Sequence, residues 1–259
     1  MKKALFYISI ILLALLLGYT ISEMRPKQVK KIVTIDTEYA FVMEEGQWGT
    51  LLYYINDDQH ELTKITSYAR IILSDHLSSS LVELTLYDLE IGHDEVYLGE
   101  YFKRVILTFM MPVLSNDWVF EDAYLEIETT SDQSYQVRLG RLTFYQKSYD
   151  EEKFNWTILD GRKKVNDLRS RLGEIEVTFE GEIPSISHIE IGTKAPLTFS
   201  IDQHILKISI FEIDYLLYEV PIIITFEDGT KQTISHFRFM IDYMMLKESG
   251  PLINVYTID

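Results

Sequence analysis

The segment Val220-Pro221-Ile222-Ile223-Ile224-Thr225-Phe226, then Glu227-Asp228-Gly229-Thr230-Lys231, then Gln232-Thr233-Ile234-Ser235-His236-Phe237-Arg238-Phe239-Met240, decides the fold class. β-Branched and aromatic residues crowd both flanks. Such side chains fit a pleated, half-buried surface. Asp228-Gly229 between the flanks supplies the positive φ that a tight hairpin needs. Pro221 has no N–H to donate, which predicts that its strand lies at a sheet edge.

The same pattern recurs along the chain. In the first part it predicts strands at Ile32–Ile35, Tyr39–Met43, Thr50–Ile55, Tyr68–Leu73, Leu81–Leu86, Val105–Met110, Ala123–Glu128 and Tyr135–Tyr145. In the second it predicts strands at Ile175–Phe179, His188–Ile191, Leu197–Ile201, Leu206–Phe211, Val220–Phe226, Gln232–Met240 and Leu252–Ile258. Thr, Val, Ile, Tyr and Phe dominate, and the runs recur every 8–14 residues or so. The fold class this predicts is all-β, with two tandem β-sandwich (immunoglobulin-like) domains at residues 32–145 and 174–259. A weak internal echo fits that division. Asp117-Trp118, Ala123, Leu125 and Ile127 are followed 97 positions later by Asp214-Tyr215, Val220, Ile222 and Ile224. The hairpin beyond repeats at 96, with Asp132 against Asp228 and Gln136 against Gln232.

Between the two parts, residues 146–173 differ in composition and read as a connector with a short basic helix. Val165, Leu168 and Leu172 fall at i, i+3 and i+7, and Gly173 suits the position just past a helix end. Arg162, Lys163, Lys164, Arg169 and Arg171 form the basic cluster of the body, a candidate docking site for an acidic partner.

Ahead of the body, Met1-Lys2-Lys3 precedes an uncharged apolar run from Ala4 to Ile21. As a helix this run is roughly 27 Å long, close to the ~30 Å hydrocarbon core of a bilayer. Thr20-Ile21-Ser22 is a poor cleavage site, so residues 1–22 are expected to be a membrane anchor or uncleaved signal. Residues 23–31 form a basic stem. Its Arg25, Lys27, Lys30 and Lys31 suit anionic lipid head groups. Counting Lys and Arg does not by itself place the body outside. The export-like start and the β-rich body do favour a single-pass cell-membrane protein whose body is extracytoplasmic.

The chain has no cysteine, which removes disulfides and thiolate metal sites together. An exported fold without disulfides suits a bacterial envelope. Net charge is −16. Residues 1–31 hold six basic residues and one acidic one, so the body carries 39 acidic and 18 basic residues, a net of −21. That excludes nucleic acid as an electrostatically favoured partner.

No phosphate loop, dinucleotide fingerprint, nucleophile elbow or His-Glu-x-x-His is present. Two acidic runs, Asn56-Asp57-Asp58-Gln59-His60-Glu61 and Asp88 to Glu95 around His93, read as loops with oxygen donors, but lack the alternating spacing of a calcium loop. Asp75-His76 near Ser78-Ser79-Ser80 has the residue types of a nucleophilic site without its spacing. Trp48, Trp118 and Trp156 could stack on sugars, though core or seam positions are commoner for an indole on a sheet. No cofactor is implied. The sequence therefore predicts a non-catalytic binding or scaffolding module for another envelope protein. A carboxylate-dependent wall-glycan hydrolase and a sensor acting through a membrane partner are the alternatives.

Overall fold

Alternating burial shows why these segments are strands. In β7, Phe120, Ala123, Leu125, Ile127 and Thr129 are buried between more exposed neighbours. The alternation slips once, between Phe120 and Ala123, where the ladder with the next strand bulges. The computed structural model describes residue 11 and residues 29–42, 48–113, 115–146, 152–165, 172–192, 197–210, 215–237 and 245–258. It is all-β, with one large curled sheet and two small sheets.

The first eight strands are β1 (Lys30–Ile35), β2 (Thr37–Val42), β3 (Trp48–Ile55), β4 (Tyr68–Asp75), β5 (Leu81–Tyr97), β6 (Glu100–Met110), β7 (Trp118–Thr129) and β8 (Ser134–Tyr145). The next five are β9 (Asn155–Lys163), β10 (Leu172–Glu180), β11 (Ile186–Ile191), β12 (Phe199–Asp202) and β13 (Ile205–Ser209). The last are β14 (Leu216–Tyr218), β15 (Val220–Phe226), β16 (Lys231–Phe237) and β17 (Ile253–Ile258), with a short helix α1 (Met245–Ser249) before β17.

The large sheet has ten strands in the order β14-β2-β8-β7-β4-β5-β6-β3-β1-β17. It curls until its two halves meet. Phe109 on β6 packs edge-on against Phe41 on β2, with centroids 5.5 Å apart, and meets Phe144 on β8 at 6.4 Å. Phe120 on β7 joins at 6.2 Å from Phe144. Gly49 stands opposite Phe109 in the β3–β6 ladder, and a Cβ there would overlap the Phe109 ring.

The chain crosses between the halves at Asp36, where β1 ends and β2 begins. Arg138 on β8 donates to Asp36 from Nη1 (2.5 Å) and to Asp122 from Nε (2.6 Å). Asn254 donates to the other Asp36 oxygen at 2.7 Å. Gly140, at φ +114°, lets β8 approach this bend, since a Cβ there would lie 2.6 Å from the Thr37 backbone. The second crossing, from β3 to β4, is pinned by Tyr53 and Tyr68, whose hydroxyls donate to the Leu62 carbonyl at 2.6 and 2.7 Å.

The small sheets come from the second part, in the orders β12-β13-β10-β9 and β11-β15-β16. They share one core. Ile175, Val177, Phe179, Leu206 and Ile208 from the first pack with Ile189, Ile191, Ile222, Ile224 and Ile234 from the second. Ala40 of β2 and Leu217 of β14 belong to the same core. β14 pairs in parallel with β2, so a strand from the second part completes the large sheet.

Several expectations need correction. The first part is one curled sheet in place of a two-sheet sandwich. Residues 155–163, expected within a connector, form β9, and Leu172 opens β10 where a helical stripe was expected to end. Residues 166–171 of that stripe lie outside the described residues. Pro221 is not on an edge strand. β15 is the centre of its sheet, and Pro221 is accommodated by an irregularity between Val220 and Ile222. The Asp228-Gly229 hairpin is present, with Gly229 at φ +81°. The echo is a pair of equivalent hairpin turns that match at 97 throughout. Thr129 and Phe226 each donate to the carbonyl four residues on, and Asp132 stands where Gly229 stands, at φ +61°. The stem ends sooner than expected, because Lys30 and Lys31 open β1 and Lys31 Nζ pairs with Glu100 at 2.5 Å.

Gly49→Ala forces extra volume against Phe109 where the two half-sheets meet. The expected loss is about 1–3 kcal/mol of unfolding free energy. A lower urea midpoint at unchanged slope is the signature to be measured. An unchanged midpoint would mean that the aromatic contact does not depend on the missing Cβ.

Candidate functional site

β5 is the corner of the large sheet, and its two edges differ. Leu81 to Leu84 ladder with β4, ending at Leu84 opposite Ile71. Past that point β4 continues with β7, while β5 continues with β6 as far as Tyr97. Among the described residues, Thr85 to Tyr97 ladder with β6 alone. The two strands thus part like a fork. A cleft of about 310 Å³ opens in the fork, lined by Tyr68, Arg70, Ile71, Glu83, Leu84 and Leu86 among others. Arg70 and Glu83 bridge its rim at 2.9 Å. Burial pushes the Tyr68 hydroxyl well above its ordinary pKa, so it stays a neutral donor.

The β5–β6 surface beside the fork has a defined pattern. Asp88 pairs with Thr108 and Glu90 with Ile106, on one face. Leu89 pairs with buried Leu107 on the other. Bulges at Leu86/Asp88 and Ile91/Asp94 bracket this short regular ladder. Tyr87 lies in the first bulge, 60% exposed, and stacks on half-exposed Trp48 of β3 with centroids 3.9 Å apart. Asp94 pairs with Lys103 at 2.7 Å. Glu95 turns inward and is buried. It accepts from Arg104 Nη2 (2.7 Å) and from the Leu246 N–H of α1 (2.8 Å). The Asp88–Glu95 run is therefore strand, not loop. Its inner carboxylate closes an end of the fold.

The other constellations are structural. Asp75 is buried at the β4–β5 turn, and its oxygens accept from Ser78 Oγ (2.6 Å), Leu77 N (2.9 Å), Asp122 N (3.3 Å) and Glu121 N (3.4 Å). Burial alone would raise the Asp75 pKa, but these donors outweigh it and lower the value. His76 instead stacks on Tyr124, with centroids 3.7 Å apart, so Asp75, His76 and Ser78 do not form a relay. His60 is buried and caps a short 3-10 turn, its Nδ1 accepting from Leu62 N at 3.2 Å. Glu61 accepts from Ser131 (2.5 Å), Tyr135 (2.9 Å) and Thr129 (3.3 Å), and the Ser131 bond leads in lowering its pKa. Among the described residues no three His, Asp or Glu side chains cluster to hold a metal ion.

Of the basic cluster, Arg162 and Lys163 are exposed on β9, an outer strand of its sheet, and Lys164 follows it half-buried. Arg162 is paired with Glu176 at 2.6 Å and Asp160 at 3.7 Å. Arg169 and Arg171 lie outside the described residues, as do Arg25, Lys27 and all of residues 1–22 except Ile11. Among the described residues no helix is long and apolar enough to cross a membrane. Trp48 and Trp156 are both exposed by about two fifths, contrary to the expectation of core positions.

No known protein family matches the chain, and no curated protein matches it. Among solved structures, the SGBP-B protein of the Bacteroides ovatus mixed-linkage glucan utilization locus aligns at 10% identity and a TM-score of 0.24. That alignment covers 78% of this chain and 44% of the other, so the chain spans less than half of that protein's length. The sialic acid binding region of a Streptococcus sanguinis adhesin aligns at 10% identity and a TM-score of 0.21, covering 79% and 76%. BcpA, the major pilin subunit of Bacillus cereus, aligns at 11% identity and 0.21, covering 83% and 67%. None of the three scores reaches the level of a shared fold.

The lowered pKa values of Asp75 and Glu61 set an acid limit on stability. A carboxylate with a depressed folded-state pKa contributes above its unfolded value, near 4, and that contribution disappears as pH falls through the folded value. Asp75→Asn is therefore expected to be clearly less stable than wild type at pH 7. The gap should shrink towards pH 3 in parallel urea titrations. A gap of constant size across that range would show that charge at Asp75 is irrelevant.

Proposed function

We propose that this protein is a membrane-anchored, extracytoplasmic binding or scaffolding protein of a bacterial cell envelope, without catalytic activity of its own. The observation that carries the reading is the open margin of β5. A long strand with one ladder partner, next to a cleft and an exposed aromatic pair, is a recognition surface. The reactive side-chain types nearby are engaged in holding turns and ends together. Residues 1–22 would hold the protein in the membrane. The stem, with Arg25, Lys27 and Lys30, would lie against anionic head groups. The body would stand outside. Arg162, Lys163, Lys164, Arg169 and Arg171 are a second, weaker contact surface for an acidic partner, since Arg162 already has carboxylate neighbours.

Photo-crosslinking in the native host tests this directly. A photoreactive residue replacing Tyr87 or Ile91 is expected to capture a discrete envelope protein, while one replacing Ile201 on β12 captures none. Protease added to protoplasts should digest the body. Protection of the body until lysis, or absence of any adduct from β5, would overturn the reading.

A binding surface spreads its energy over many contacts, whereas loss of a catalytic carboxylate costs orders of magnitude in rate. Asp57→Ala, Asp58→Ala and Asp94→Ala, made singly, are expected to leave the cellular phenotype near normal at unchanged membrane levels. Abolition of function by one of them in a folded, abundant protein would favour a hydrolase.

A further inference from the structure

We propose that the open margin of β5 receives a β-strand from a partner protein, and that this strand carries lysine or arginine at alternate positions. The inference rests on the binding-module reading and names the partner's chemistry.

The fork supplies the main-chain part. Where the β4–β5 ladder stops at Leu84, the β5 backbone continues, among the described residues, with a ladder on the β6 side alone. An incoming strand can enter at the cleft between Tyr68 and Leu86 and extend the sheet along β5. The usable length ends before Glu95, because α1 is tied there through Leu246 N–H. From Thr85 to Ile91 the edge measures roughly 23 Å at about 3.3 Å per residue, enough for a strand of ordinary length.

The side chains select the occupant. Glu83 has Arg70 and Asp94 has Lys103. Asp88 and Glu90, between them, have no cationic side chain within ion-pair distance among the described residues. They share a face two residues apart, which matches the period of an adjacent strand. Cations at i and i+2 of an incoming strand would meet both carboxylates, as opposite charges do across neighbouring strands. Tyr87, stacked on Trp48, adds exposed apolar surface beside Asp88. A second copy of this chain is a poor occupant. Antiparallel self-pairing centred on Leu89 would set Asp88 against Glu90 of the other copy twice over, and like charges across a ladder repel.

The probe is a labelled peptide, acetyl-Thr-Lys-Val-Lys-Val-Thr-amide, titrated into the full chain in neutral detergent. Fluorescence anisotropy should report binding on the order of 10–100 μM. Hydrogen exchange should slow at residues 85–91. Methylating the peptide's backbone nitrogens on one edge should abolish binding, because a strand is recognised through its main chain. The Asp88→Lys, Glu90→Lys double variant, checked for unchanged thermal unfolding, should bind about tenfold or more weakly. Equal binding of the methylated peptide, equal binding of a version with Glu for Lys, or protection away from β5 would each overturn the proposal. So would preferential binding of a neutral oligosaccharide, chitotetraose, at the Trp48–Tyr87 pair. If the peptide fails while crosslinking from Tyr87 still captures a partner, the basic strand is wrong and the binding module stands. If both fail, both fall.

Discussion

The contact of Phe109 with Phe41 and Phe144 is the constraint on which the large sheet depends. These rings come from opposite halves of one ten-stranded sheet, so they can meet only if the sheet curls back on itself. Gly49 makes room on β3, and the Asp36–Arg138 pair fixes the bend at which the chain changes halves. Aromatic pairs in this geometry add to the burial of the rings themselves. The Arg138 guanidinium, held between Asp36 and Asp122, ties the bend to β7 and β8. The two devices serve the same end. One fills the space between the halves, and the other sets where the backbone turns into it.

The margin of β5 follows from strand length. In the β4–β5 register Tyr68, where β4 begins, falls three residues past Ile71, so β4 has no residue to set against β5 beyond Tyr87. β5 keeps β4 for its first residues and β6 for the rest. The free stretch is bracketed by bulges and carries carboxylates, devices that discourage indiscriminate edge pairing. A margin guarded in this way suits a selective partner better than a promiscuous one.

The polar residues that look chemical in one dimension serve structure in three. Asp75 gathers two backbone N–H groups from the start of β7's bulge and two donors from its own turn. Glu61 collects three hydroxyls from the β7–β8 hairpin. Glu95 joins β6 to α1 through Arg104 and Leu246. A chain without cysteine has no disulfides to close its ends, and satisfied buried carboxylates take part of that role.

Most strands were legible in the sequence because half-buried strands alternate, and that alternation is a local property. β3, β8 and β15 lie close to where Val, Ile, Phe and Tyr put them, whereas β7 starts five residues before the expected Ala123. The length of β5 was not legible. Asp88, Glu90, His93, Asp94 and Glu95 read as a loop because most side chains of that strand are exposed. β9 escaped for the same reason, since nearly all its side chains are exposed. Pro221 pointed to an edge, because its missing N–H is a local fact, whereas the bulge that accommodates it in a central strand is not. The sequence by itself determined the all-β class, the hairpin at Asp228-Gly229 and the acidic character of the body. Only the tertiary structure decided that one sheet curls over Phe109 and that β14 returns to pair with β2. It alone placed Asp88 and Glu90 on a stretch of β5 that ladders with β6 alone among the described residues, because ladder partners far apart in sequence leave no mark on the residues between them.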